Sequence, residues 1–121
     1  MRIAIIVEGR TEKAFKRHIL EFLKVRVPGR RPKLDFFCCD GRVHKEGKLR
    51  RTVEGLLANG KSQADYVIAL TDVYTGSSDF KDAADAKAKM RQWVGQKEKF
   101  FPHAAQYDFE AWLLPYWQAI Q

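Results

Sequence analysis

Three short apolar runs in this chain each lead into acid: "RIAIIVE" ends on Glu8, "DYVIALTD" ends on Asp72, and "HAAQYDFE" carries Asp108 and Glu110. Carboxylate oxygens are the ligands Mg²⁺ favours, and that ion keeps several waters which a phosphate can displace. If the runs are parallel strands, their acids collect at one rim, the carboxyl edge where open α/β sheets hold ligands. Glu8 and Asp72 would then share a cation if the first and third strands are neighbours, about 5 Å apart. Around them Gly9 would let backbone approach a phosphate, and Arg10 and Lys13 stand close enough in sequence to contact it. Duller roles exist for each acid alone. Glu12, Asp108 and Glu110 would also stabilise helix N-termini, and Asp72 would suit a turn. Capping does not explain why Glu8 precedes the Gly9 turn.

The elements that must position these acids follow from periodicity. "RIAIIV" is a continuous Ile/Val run, as expected of a strand covered on both faces. Thr11 is a fitting N-cap, and Phe15, Ile19, Phe22 and Leu23 then fall on one helical face. "VPGRRPK" breaks the pattern, and "LDFFCC" reads as the second strand. Leu49, Val53, Leu56 and Leu57 mark the next helix, closed by Asn59-Gly60. After the third strand and the loop "VYTGSSDF" comes an Ala-rich helix burying Met90, Trp93 and Val94 and ending at Gly95. The fourth strand is expected at His103–Tyr107, followed by a last helix burying Phe109, Trp112, Leu113, Tyr116 and Trp117, kinked or split at Pro115. Strand and helix alternate four times. The expectation is one domain over residues 1–121: an α/β fold, a mainly parallel four-stranded sheet with helices on both faces in three α/β/α layers.

With these elements in place, "VEGRTE" resembles the first motif of the TOPRIM domain, and "VIALTDVY" stands where that domain carries an Asp-x-Asp strand end. The ordered set "EGRTE", "DVYTG" and "QYDFEAWLL" is similar to small TOPRIM-like bacterial proteins related to the overcoming-lysogenization-defect nucleases and often encoded beside ATPases. The resemblance covers about the whole chain. It implies a TOPRIM-like, Rossmann-like sheet and Mg²⁺-dependent (or Mn²⁺-dependent) hydrolysis of phosphodiester bonds in DNA or RNA. Glu8 matches the glutamate that acts as general acid/base or metal ligand, Glu12 a second ligand, and Asp72 the first aspartate of Asp-x-Asp. The second aspartate is absent, because Tyr74 stands there. Its place as ligand would fall to Glu110, with Asp108 next and Asp79 also in reach. The resemblance also implies an ATPase partner and, as the alternative function, a non-catalytic or partner-dependent nucleic-acid-binding module.

Charge supports an anionic partner. The chain carries a formal net charge of +7, and the surplus lies in the first half: 16 Lys/Arg against 7 Asp/Glu in residues 1–61, 6 against 8 in residues 62–121. "GRRPK" and "KLRR" are the patches best suited to a phosphate backbone, with plain solvated surface as the other reading. The cysteines, Cys38 and Cys39, are adjacent, so on a strand they face opposite ways and are poorly placed to bind one metal. A reduced cytoplasmic protein is expected. His18, His44 and His103 lack metal-ligand spacing, and structural roles are expected for them. No run approaches a membrane span, and the apolar run at residues 3–7 is followed by Glu8 rather than a cleavage pattern, so neither an anchor nor a signal peptide is expected. No G-x-G-x-x-G or Walker motif follows the first strand, and a phospho-accepting receiver would need paired acids there and a fifth strand. Nor does the chain hold the separate tyrosine-bearing or zinc modules that topoisomerase or primase activity would require. The aromatics of the last helix would suit a partner surface, a homo-oligomer included.

Overall fold

Strand β1 (Arg2–Val7) is the centre of the molecule, and its Ile/Val run is buried from Ala4 onward. In the computed structural model, which describes residues 1–9, 14, 16–26, 29, 32–39, 42–58, 60–73 and 80–106, β1 is flanked by β2 (Lys33–Cys38) and β3 (Tyr66–Val73). The edge strand β4 (Phe100–Gln106) completes a four-stranded sheet of order β2-β1-β3-β4. Every pairing is parallel. The expected α/β class and parallel sheet are therefore present, with the first and third strands adjacent.

Helices cover both faces. On one side α1 (Lys16–Arg26) lays Ile19 and Leu20 against Ile5, Val7 and Leu34. On the other, α2 (Glu46–Ala58) and α3 (Ala83–Val94) bury Leu49, Val53, Met90 and Val94 against Ala4, Ile6, Val67, Ala69 and Phe100. The split follows from alternation along each strand: odd residues of β1 face α1, even ones face α2 and α3. Three layers result.

Helix ends follow the sequence signals. α2 stops at Ala58, before Asn59-Gly60. α3 begins at the N-cap Asp82, whose carboxylate accepts the N–H of Asp85 at 2.8 Å. It closes on Gly95 at φ 88°, a conformation costly for a residue with a side chain, where the glycine N–H bonds the Arg91 carbonyl at 2.9 Å.

Two expectations need correction. Phe22 was placed on the buried face of the first helix, yet it is 55% exposed. The packed stripe is centred between Ile19 and Leu20, and at about 100° per residue Phe22 falls about 110° from that centre. Strand β4 starts at Phe100 rather than His103, so Pro102 lies inside it. An edge strand tolerates proline because only one of its sides must supply ladder hydrogen bonds, and among the described residues β4 pairs on one side only. The predicted last helix, with Pro115, and the Thr11 cap lie outside the described residues.

Candidate functional site

At the carboxyl rim of β1 and β3 the chain buries two acids. Glu8, one residue beyond β1, is 5% exposed, and Asp72, on the penultimate residue of β3, is 9% exposed. Glu8 Oε1 accepts the Thr71 hydroxyl at 2.7 Å and the backbone N–H of Asp72 at 2.9 Å. Hydrogen bonds to an ionised acceptor contribute about 1.5–3 kcal/mol each, so this carboxylate clamps β1 to β3 at the rim. The opposite rim is tied by Arg2, whose N–H donates to Asp65 at 2.7 Å and whose guanidinium pairs with Asp35 at 3.1 Å. Between the two clamps the strand register is fixed, and with it the level at which the acids stand.

Glu8 and Asp72 stand at the same rim of neighbouring strands, and the bond between them runs from the Asp72 backbone N–H to the Glu8 side chain. Alternation sets Thr71 on the α2/α3 face with Val67 and Ala69, and Asp72 on the α1 face with Ile68 and Leu70. The two acids thus bracket the sheet's rim from its two faces. Carboxylate oxygens are the donors Mg²⁺ favours, and from opposite faces these two meet one ion only beyond the strand ends. Among the described residues no group of three His, Cys, Asp or Glu converges as a cation site. Glu12, Asp108, Glu110 and Asp79, and the phosphate-contact candidates Arg10 and Lys13, lie outside the described residues, as does Tyr74. Gly9 is described: its carbonyl accepts the Cys38 thiol at 3.7 Å, which holds the turn after Glu8 against β2.

Residues 7–121 match the family described as a domain of unknown function, DUF4276. The chain belongs to this family. No curated protein and no solved structure matches it. The matched span opens at Val7, so Glu8, Thr71 and Asp72 all lie within it.

Sequence reasoning missed the second wall of this family member's rim. Thr71 is buried to 4% and supplies a donor to Glu8. Strand alternation turns the residue before Asp72 to the face opposite it, but its donation to Glu8 depends on the pairing of β1 with β3. Cys38 and Cys39 do point to opposite faces, packing on the α1-side and α2/α3-side cores respectively, and both are free thiols. Burial pushes the Cys39 thiol above its ordinary range, opposed by a hydrogen bond from the His44 backbone and raised further by the nearby negative charge of Glu8. His44 in turn sets its Nδ1 3.1 Å from Thr52 Oγ1. That hydroxyl donates its only proton to the Lys48 carbonyl at 2.9 Å, so Nδ1 must carry the proton it gives to Thr52. The bond thus fixes Nδ1 as the donor and sets the ring's orientation.

Burial lowers the pKa of His44 and of His103, with Lys48 adding to the effect at His44 and Lys87 and Arg91 at His103. The fold favours the uncharged rings. Their contribution is complete above the ordinary histidine value, about 6.5, and drains away as pH falls through it toward the lowered folded-state values. Thermal melting should thus drop between pH 7.5 and pH 5.5 by a margin that His44→Gln with His103→Gln removes; an equal drop in the double variant would contradict the assignment. Glu54 and Asp85 are both held low, first by the bond from Arg50 and by the Lys81 backbone N–H respectively. Those acids act below the ordinary carboxylate range and do not blur the histidine window.

Proposed function

We propose that this chain is a metal-dependent phosphodiesterase acting on nucleic acid, or the core of one, with its site at the Glu8–Asp72 rim. One observation carries the reading: two buried acids from separate parts of the chain stand at the carboxyl ends of adjacent parallel strands, the Asp72 backbone N–H bonded to the Glu8 carboxylate. Burying ionisable acids is expensive, and such groups concentrate where chemistry needs them. The likeness of "VEGRTE" and "VIALTDVY" to TOPRIM motifs supports the same assignment. Glu8 and Asp72 would hold a divalent ion with Glu12, Asp108 or Glu110 completing the set. Such an ion supplies polarisation of a phosphate oxygen and an activated water. Gly9, Arg10 and Lys13 are assigned to the phosphate. Glu8, accepting from the Thr71 hydroxyl and the Asp72 N–H, is the carboxylate of the pair whose bonds fix its position.

The test is cleavage of labelled DNA and RNA by the wild-type protein with Mg²⁺ or Mn²⁺, abolished by chelation. A second reading is favoured by one observation, Tyr74 in the second Asp-x-Asp position. It fits a binding or regulatory module that works with an ATPase partner. Activity appearing only on adding that partner would select it. No described helix is long and apolar enough to cross a membrane. Two free thiols are in keeping with the reducing cytoplasm, where we place the protein.

A further inference from the structure

Edge strand β2 and the later part of helix α2 line a shallow groove of about 480 Å³ formed by Phe37, Arg51, Thr52, Gly55, Leu56 and Ala58, with Phe37 nearest the rim. Phe37 keeps 37% of its surface exposed, and its ring meets that of His44 edge to face, with centroids 5.8 Å apart and planes at 80°. His44 is itself fastened to Thr52, so the aromatic wall is held in one orientation. Along the same helix, Arg50 is paired with Glu54 at 3.0 Å, whereas Arg51 has no carboxylate partner among the described residues. Arg51 Nη1 lies 3.4 Å from where a Cβ on Gly47 would stand, so the guanidinium reaches back toward the start of α2. That start follows β2's carboxyl end and is therefore on the rim side.

Gly55 sits in an exposed helix interior, where glycine costs about 1 kcal/mol relative to alanine. A Cβ built on it meets nothing within 4 Å. Packing does not require the glycine, and its absence of side chain keeps the groove open. Phe37 pairs in register with Ile6, two residues before Glu8. Two residues along and one strand across put it roughly 8 Å from the rim acid in backbone terms.

We infer that this groove takes one unstacked base of a single-stranded nucleic acid, with Phe37 as its stacking platform and Arg51 on the adjoining phosphate. The inference rests on the nucleic-acid reading of the rim and names its substrate class. An exposed ring beside a guanidinium with no carboxylate partner among the described residues suits single strands, whose bases present their faces, and not a duplex, whose bases are already stacked. Lys48, on the same helix, adds positive charge on the rim side.

Binding is measured by fluorescence anisotropy of labelled oligothymidine, oligouridine and a blunt duplex, with EDTA present so that no cleavage contributes. Wild type should prefer the single strands. Phe37→Ala should weaken binding about tenfold or more, the usual loss of one aromatic–base stack. Arg51→Gln should lower the slope of log affinity against log salt by about 0.7. Gly55→Leu, which adds atoms to open space, should keep the wild-type melting temperature and lose binding as Phe37→Ala does. The inference is overturned if wild type favours the duplex or binds neither, or if Phe37→Ala and folded Gly55→Leu bind single strands as wild type does. Cleavage lost at Glu8 while these variants still bind normally would remove the groove and keep the rim site. Groove-dependent binding without metal-dependent cleavage would do the reverse.

Discussion

Glu8→Gln should abolish Mg²⁺-dependent cleavage, lowering kcat/KM by about 10²–10⁴-fold, while leaving the fold intact. The amide oxygen of glutamine still accepts from the Thr71 hydroxyl and the Asp72 N–H, so the clamp between β1 and β3 survives. What disappears is the negative charge and the capacity to take up and release a proton. Glu8→Ala is the poorer probe, because it orphans two buried donors and costs stability as well as chemistry. Asp72→Asn should behave like Glu8→Gln, since the backbone N–H that bonds Glu8 is untouched. Activity, circular dichroism and thermal melting on the same preparations make the check. Cleavage retained by both folded variants would remove these acids from the site.

The second large effect concerns the core. Phe100 opens β4, is 1% exposed and packs in the cluster with Met90, Val94 and Val67. Phe100→Ala should cost about 3–5 kcal/mol, the transfer of a buried ring plus the cavity left behind. Set against a total of about 5–15 kcal/mol for a domain, that loss moves the urea midpoint far down. Phe22→Ala supplies the contrast. It removes a ring of the same size from a position 55% exposed, and a change below about 0.5 kcal/mol is expected. Similar losses in both would mean that the α1 face is not the one bounded by Ile19 and Leu20.

Why some of this was legible in the sequence and some not comes down to range. A central parallel strand is buried on both faces, so "RIAIIV" announced itself without partners, and the polar residue ending it announced the rim. Asn59-Gly60 and Gly95 stop helices by local backbone preference, which needs no tertiary knowledge. Phe22 was misplaced because helical spacing names a stripe about a third of a turn too wide, and only the sheet decides where its centre lies. Pro102 hid the start of β4 because proline's cost depends on whether a strand is at the edge, a fact of topology. Thr71 as a donor to Glu8 needed the register of two strands 63 residues apart in sequence. "KLRR" was read as a patch, but that Arg50 is spent on Glu54 while Arg51 lines a groove is visible only in three dimensions.

The span matched to DUF4276 includes both rim acids. Thr71 and Gly9 frame Glu8 through short-range geometry, so their roles travel with the fold of β1 and β3 and not with any ligand.

The most direct measurement is an anomalous difference map from crystals soaked in Mn²⁺. The account predicts a peak at the carboxyl rim within coordination distance of carboxylate oxygens from both Glu8 and Asp72. A map with no peak there, with Glu8 still bonded to Thr71 and Asp72 while manganese occupies other sites, would contradict it.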